Sequence, residues 1–112
     1  GMTEEMKELA AALHKTCVAE TGIDEGLISK VNAEKVLPDD EKLKCFLKCL
    51  MEQTGVLNED GTLDVDAAIA IHPDEVRGTL EPIIRKCAPT APGNPCENSW
   101  MAHKCLLESN PD

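Results

Sequence analysis

Six cysteines are the residues of this chain whose type and spacing most clearly allow chemistry. An even number of cysteines in a short chain is typical of disulfides in an oxidising compartment or of metal ligands in a reducing one. A zinc ribbon needs paired C-x-x-C motifs, which this sequence lacks, and His14 and His103 do not stand at zinc-finger spacing from a cysteine. We therefore predict structural disulfides and no metal site. The cysteines are Cys17, Cys45, Cys49, Cys87, Cys96 and Cys105.

Helix geometry restricts the pairing of these cysteines without fixing it. Six cysteines allow 15 pairings. Cys45 and Cys49 would project from one face of a shared helix, and each must then reach another element. Cys96 and Cys105 would lie about 13 Å apart along a helix, which is beyond disulfide reach. These two exclusions leave ten of the pairings open.

Other side chains that could perform chemistry have simpler explanations. The acidic pairs at residues 4–5 and 39–40 stand at predicted helix N-termini, where carboxylates interact favourably with the helix dipole. The segment 58–64 resembles a calcium loop only in part, because Val56 and Ala67 occupy positions that need acidic ligands. Once all cysteines are paired no thiol nucleophile remains, and no serine lies in a nucleophile-elbow motif. We therefore expect no enzymatic activity and no cofactor.

Composition and charge narrow the class of protein. With 21 acidic against 11 basic residues, the net charge of -10 opposes binding to nucleic acids and to anionic membranes. The 112 residues fit one domain over residues 1–112, and its core must be aliphatic because only one Phe and one Trp are present. No apolar run approaches the roughly 18 residues of a membrane span. The N-terminus lacks the apolar segment of a signal peptide, so we expect a mature secreted form.

The helical spacing of apolar residues predicts an all-α bundle of six helices, three of them cross-linked in pairs, and no sheet. Pro82 predicts a kink or a late start in the fifth helix, and Glu97 would complete a capping box in the last. The expected starts are Thr3, Asp24, Asp39 or Asp40, Asp64, about Asp74, and Asn94. The expected ends are Gly22, a residue before Leu37, Gly55, Ile71, Cys87, and about Asn110–Pro111.

Apolar stripes on helices normally indicate only a packed core. Cross-linked helices can nevertheless keep an apolar cavity open, and such a cavity suits a small apolar guest. The three histidines are the only groups expected to titrate near neutrality, and we expect each to be solvated or locally hydrogen-bonded. They are His14, His72 and His103.

The cysteine spacing resembles that of the insect odorant-binding proteins, the family that includes the pheromone-binding proteins. Between successive cysteines lie 27, 3, 37, 8 and 8 residues. The three-residue gap of Cys45-Phe-Leu-Lys-Cys49 and the eight-residue gap between Cys96 and Cys105 are fixed spacings of that family. The resemblance covers the chain from Cys17 to Cys105, and in finer detail it is to antennal binding proteins of the moth type.

This resemblance implies a compact six-helix fold around an apolar cavity and a specific cysteine pairing. The implied pairs, all among those left open above, are Cys17 with Cys49, Cys45 with Cys96, and Cys87 with Cys105. The implied function is an extracellular carrier in sensillum lymph or another body fluid, a monomer or weak homodimer that delivers small hydrophobic molecules to membrane receptors. Only seven residues follow Cys105, so we expect no additional C-terminal helix that could enter the pocket.

Inward-facing apolar residues on several helices are the predicted ligand contacts. They are Met6, Leu9, Leu13, Leu47, Met51, Val56, Ile69, Leu80, Ile84, Trp100 and Leu106. Burying about ten methylene groups gains on the order of 8 kcal/mol, and immobilisation reduces this to micromolar affinity. We expect the indole N–H of Trp100 to donate to a ligand oxygen. We also expect acid to weaken binding.

Two alternative functions remain open. A disulfide-bonded helical bundle with a filled core would act by binding another protein. A lipid-transfer or saposin-like protein is less consistent with the sequence, because saposin-type patterns place cysteine pairs near both termini.

Overall fold

The computed structural model describes residues 3–89 and 91–109, which form six α-helices. The helices are α1 (Glu4–Thr21), α2 (Glu25–Glu34), α3 (Glu41–Gln53), α4 (Val65–Ala70), α5 (Asp74–Cys87) and α6 (Pro95–Ser109). Within the described residues there is no sheet, and only an isolated antiparallel bridge joins Leu57 to Leu63. The predicted all-α class is therefore confirmed. Each helix of this part of the chain is too short or too polar to span a bilayer.

Side-chain caps begin five of the helices at predicted positions. Thr3 Oγ1 accepts a hydrogen bond from the Met6 N–H over 3.1 Å. Asn94 Oδ1 accepts from the N–H groups of Cys96 and Glu97. The caps of α2, α3 and α4 are Asp24, Asp40 and Asp64, in that order. Each cap satisfies an N–H group that no helical carbonyl can reach, which is why the helices begin there.

Helix α5 has the predicted bounds, Asp74–Cys87. It begins at Asp74 and continues through Pro82, so a late start caused by the proline is wrong. Proline lacks the N–H that would bond the carbonyl of Gly78, four residues earlier. Both residues are exposed, so water can hydrate that carbonyl and the helix tolerates the missing bond.

Two smaller predictions at helix ends also need correction. Glu97 does not complete a capping box, because its carboxylate accepts a hydrogen bond from Lys44 Nζ on α3 over 2.7 Å. Helix α4 ends at Ala70, and Ile71 follows it as the C-cap. The expected fraying of the last helix at Asn110–Pro111 lies outside the described residues.

Three disulfides connect four of the helices in series. They are Cys17–Cys49 between α1 and α3, Cys45–Cys96 between α3 and α6, and Cys87–Cys105 between α5 and α6. These are the pairs that the family resemblance implies. The expectation of three cross-linked helices is wrong, because the two cysteines of α3 reach different helices and the third bond adds α5. Helix α3 also packs directly against α1 and α6.

The buried apolar residues form two clusters. The first cluster joins the last part of α1 to α2 and α3, and it comprises Cys17, Ile23, Ile28, Leu37, Leu43, Phe46, Leu47 and Cys49. The second cluster lies where the end of α3 meets α4 and α5, and it comprises Met51, Val56, Ala68 and Ile84. An apolar opening lies beside the second cluster.

Candidate ligand-binding cavity

An apolar cavity of about 260 Å³ lies between the end of α3, the α4–α5 turn and α6. All four members of the second cluster contribute to its wall, and Leu106 contributes from α6. The further apolar wall residues are Leu50, Leu63, Ile71 and Ala102, with the half-cystine Cys87 beside them. The volume lies just below the roughly 300 to 1,000 Å³ of pockets for drug-sized ligands, which favours a smaller guest.

Four of the predicted ligand contacts line this cavity. They are Met51, Val56, Ile84 and Leu106. Ile69 and Leu80 pack against the second cluster without lining the cavity. Leu47 belongs to the first cluster and lies one helical turn before the wall residue Met51 on α3. The cavity therefore lies at the C-terminal end of α3, where this helix meets the α4–α5 turn and α6.

The predicted contacts on α1 are not brought to the cavity. Met6 is 40% exposed and Leu9 is 62% exposed, and Leu13 is half-buried away from the cavity wall. Helix α1 packs on α3, and its first buried residue is Cys17. The apolar spacing of α1 correctly predicts a helix, but the first part of that helix extends beyond the cavity.

The side chain of Trp100 also lies outside the cavity wall. Its Nε1–H donates to the carbonyl oxygen of Pro38 over 3.1 Å. The ring packs against the first cluster, and the ammonium groups of Lys44 and Lys104 lie 4.7 and 5.2 Å from its centroid. The expectation that this indole donates to a ligand is therefore wrong in this structure, because the Pro38 carbonyl already accepts its hydrogen bond.

Three polar side chains of the cavity wall were not among the predicted contacts: Thr54, His72 and His103. The Thr54 hydroxyl donates to the carbonyls of Leu50 and Met51, at 2.9 and 3.1 Å, so its proton is already used. His103 Nδ1 lies 2.8 Å from the Ser99 carbonyl oxygen. Burial lowers the pKa of His103, although the bond to Ser99 opposes that shift. The ring is therefore neutral at neutral pH.

The turn that carries Ile71 and His72 is held by one arginine. Arg77 Nε donates to the His72 carbonyl and Nη2 donates to the Ala70 carbonyl, each over 2.7 Å. These bonds satisfy carbonyl groups at the end of α4 that no helical N–H reaches. They fix the position of α4 relative to α5 and with it one side of the cavity.

The missed wall residues had a weak signal in the sequence. On α6, Leu106 lies three residues after His103 and four residues after Ala102. Residues at these spacings share one face of a helix. Alanine and histidine do not stand out in an apolar pattern, so the sequence indicates only Leu106 on that face.

Among the described residues, no group of three His, Cys, Asp or Glu side chains is arranged to hold a metal ion.

Comparison with known proteins agrees with the resemblance in the cysteines. The model of the PBP/GOBP family matches residues 2–109. General odorant-binding protein 69a of Drosophila melanogaster is 24% identical over 98 residues, which cover 88% of this chain and 66% of the fly protein. The chain thus spans about two thirds of that relative's length.

Solved structures show the same fold. The medfly odorant-binding protein CcapOBP22/CcapOBP69a has a TM-score of 0.80 and 26% identity, covering 91% of this chain and 88% of that one. Odorant-binding protein 7 of Anopheles gambiae, a complex with an azo compound, has a TM-score of 0.86 and 24% identity, covering 98% and 89%.

These relatives come from flies and a mosquito, so the finer resemblance to moth antennal proteins stays a prediction. The family match covers nearly the whole chain, and the helical fold, the three disulfides and the apolar cavity agree with it. The chain therefore belongs to the PBP/GOBP family of insect odorant-binding proteins.

Proposed function

We propose that this chain is an extracellular carrier that binds small hydrophobic molecules in the cavity between α3, α4, α5 and α6. The ligand classes are odorants, pheromones and fatty alcohols, aldehydes, esters or acids. The observation that supports this proposal most directly is an almost wholly apolar cavity in a member of this family. A bundle with a filled core, acting only by binding another protein, would leave no such space.

The cavity also sets the size of ligand and the expected affinity. A liquid water molecule occupies about 30 Å³, and a heavy atom of an organic ligand with its hydrogens needs similar room, so the cavity fits about nine such atoms. Burying about eight methylene groups gains roughly 6 kcal/mol before the cost of immobilisation. Because immobilisation reduces this gain further, we expect Kd values of about 100 µM to 1 mM for eight-carbon ligands. This is weaker than the sequence led us to expect, because the cavity is small.

The remaining parts of the proposal concern the setting. Three disulfides support secretion into an oxidising compartment, and kinship to binding proteins supports carriage without a reaction. Delivery to membrane receptors, a monomeric or weakly dimeric state, and a single domain over residues 1–112 follow from the resemblance and stay predictions.

Isothermal titration calorimetry of the disulfide-bonded protein with octan-1-ol tests the function. We expect saturable binding near one ligand per chain. Ala68→Leu places three further carbon atoms at the cavity wall and should weaken binding at least tenfold. Ala70→Leu is the matched control, because Ala70 is exposed on the same helix and should leave binding unchanged. No binding by the folded wild type, or equal weakening by both variants, would contradict the proposal.

A further inference from the structure

His103 is the one ring among the cavity-lining side chains whose proton position is fixed by the backbone. Its Nδ1 lies 2.8 Å from the Ser99 carbonyl oxygen. A carbonyl oxygen can only accept, so Nδ1 must carry the hydrogen and donate it. In the neutral ring, Nε2 then has a lone pair and no hydrogen.

This Nε2 atom has no hydrogen-bond partner among residues 3–89 and 91–109. Within the same residues, no side-chain nitrogen or oxygen that is sealed from solvent lacks a partner. Nε2 is therefore not sealed from solvent, and His103 is a residue of the cavity wall. The mainly apolar wall thus includes a ring with an unpaired hydrogen-bond acceptor.

The two other polar wall groups, Thr54 and His72, differ in what they offer a ligand. Thr54 already donates its hydroxyl proton to Leu50 and Met51, so it too offers a ligand only lone pairs. The side chain of His72 makes no hydrogen bond within the described part of the chain, and it is the one group of the wall free to donate. It stands in the α4–α5 turn, so it can be separated from His103 by substitution.

From this geometry we infer that His103 Nε2 selects ligands with a hydroxyl group over ligands of equal size that carry only acceptors. The inference rests on the proposed carrier function and narrows its ligand class. An alcohol donates its hydrogen to Nε2 and keeps its alkyl chain in the apolar part of the cavity. A ketone, aldehyde or ester can only place an oxygen lone pair against the Nε2 lone pair, so it gains no hydrogen bond at His103. An ionised fatty acid would place a negative charge beside His103 Nε2, which has no hydrogen to donate to the carboxylate.

Octan-2-ol and octan-2-one test the inference, because they share one carbon skeleton and differ only at the oxygen. Calorimetric Kd values for both ligands are measured at pH 8 on the disulfide-bonded wild type, on His103→Leu and on the control His14→Leu. Comparing the ratio of the two Kd values between proteins cancels the different hydration of the two ligands. We expect the ratio to favour the alcohol by roughly 3- to 10-fold more in wild type than in His103→Leu. His14→Leu should keep the wild-type ratio, because His14 pairs with Glu25 and lies outside the cavity wall.

Nitrogen-15 spectra of the wild-type histidine rings give a second test that needs no variant. We expect the Nδ1–H tautomer for His103, and a shift of its Nε2 resonance on addition of octan-2-ol that octan-2-one does not produce. An Nε2–H tautomer, or an alcohol-to-ketone ratio unchanged by His103→Leu, would overturn the inference while leaving the carrier function intact. If neither ligand binds the wild type, the carrier function fails and the inference fails with it.

Discussion

The ammonium nitrogen of Lys44 lies 2.7 Å from the Glu97 carboxylate and thereby joins α3 to α6. The same nitrogen lies 2.7 Å from Asp39 and 4.7 Å from the ring centroid of Trp100. The side chain of Lys44 is only 8% exposed, and lysines are almost never buried without partners. Hydrogen bonds to Asp39 and then to Glu97 raise the pKa of Lys44, so the buried group stays charged at neutral pH.

We predict an asymmetry when this ion pair is broken from either side. The double change Asp39→Asn and Glu97→Gln leaves a buried ammonium without a counter-charge, whereas Lys44→Met leaves two carboxylates that water can hydrate. The double variant should therefore lose more stability, seen as a lower urea midpoint in circular dichroism at pH 7.

A control for that comparison comes from α5. Glu81→Gln breaks the half-exposed pair with Arg85, whose atoms lie 3.0 Å apart. Its cost should be only about 0.3 to 0.5 kcal/mol. A Lys44→Met loss as large as that of the double variant would contradict the predicted asymmetry.

Acid should destabilise the fold through His103. Its pKa is lowered in the folded state, mainly by burial, so between the folded pKa and the unfolded value of about 6.5 only the unfolded chain binds the proton. The free energy of unfolding therefore falls as the pH drops below about 6.5, and the fall stops once the folded ring is protonated. The slope contributed by one such group is at most about 1.4 kcal/mol per pH unit.

The measurement is urea unfolding between pH 8 and pH 5. His103→Leu should flatten the decline in this range, and His72→Leu should retain it because His103 is unchanged. An identical pH profile for wild type and His103→Leu would disprove the assignment. Whether acid also weakens ligand binding stays a separate prediction.

The disulfides should differ in their contribution to stability according to the loops that they close. Cys45–Cys96 spans 51 positions and Cys87–Cys105 spans 18. In the chain-entropy model the two bonds contribute about 4 and 3 kcal/mol. Replacing both cysteines of the first pair by serine should therefore cost about 1 kcal/mol more than the same change in the second. Equal midpoints in urea, or the reverse order, would show that native-state contacts outweigh loop length.

Two glycines should respond in opposite directions to alanine. Gly61 has a φ of 88°, and a Cβ there would lie 2.5 Å from the Gly93 carbonyl oxygen. Gly78 lies inside α5 with open space around it. We expect Gly61→Ala to destabilise by about 1 to 3 kcal/mol, and Gly78→Ala to stabilise by about 0.5 to 1 kcal/mol. Melting temperatures that move in the same direction would contradict this pair of predictions.

Local chemistry explains why the helix starts could be predicted. A cap such as Thr3 or Asp64 acts on an N–H group only two or three residues away, so the sequence contains both partners. The all-α class follows from the same short-range signals together with apolar spacing. The family pairing of the cysteines came from resemblance, because geometry alone left ten alternatives.

The cavity wall could be predicted only in part, because it depends on how the helices pack. Leu47 and Met51 lie one turn apart on α3, yet Leu47 packs into the first cluster and Met51 lines the cavity. Trp100 and Leu106 diverge in the same way on α6. Spacing along one helix places a residue on the inner face, but the neighbouring helix decides whether it meets a side chain or open space.

The separation of the two clusters divides the sequence into positions with different freedom to change. The first cluster contains Cys17 and Cys49 and consists of buried residues, so a new side chain there must fit an occupied space. Wall positions such as Ile71 and Leu106 border an empty volume and can accept a larger or smaller side chain without disturbing that packing. Ligand preference can therefore diverge between relatives by substitutions at the wall while the first cluster retains the fold.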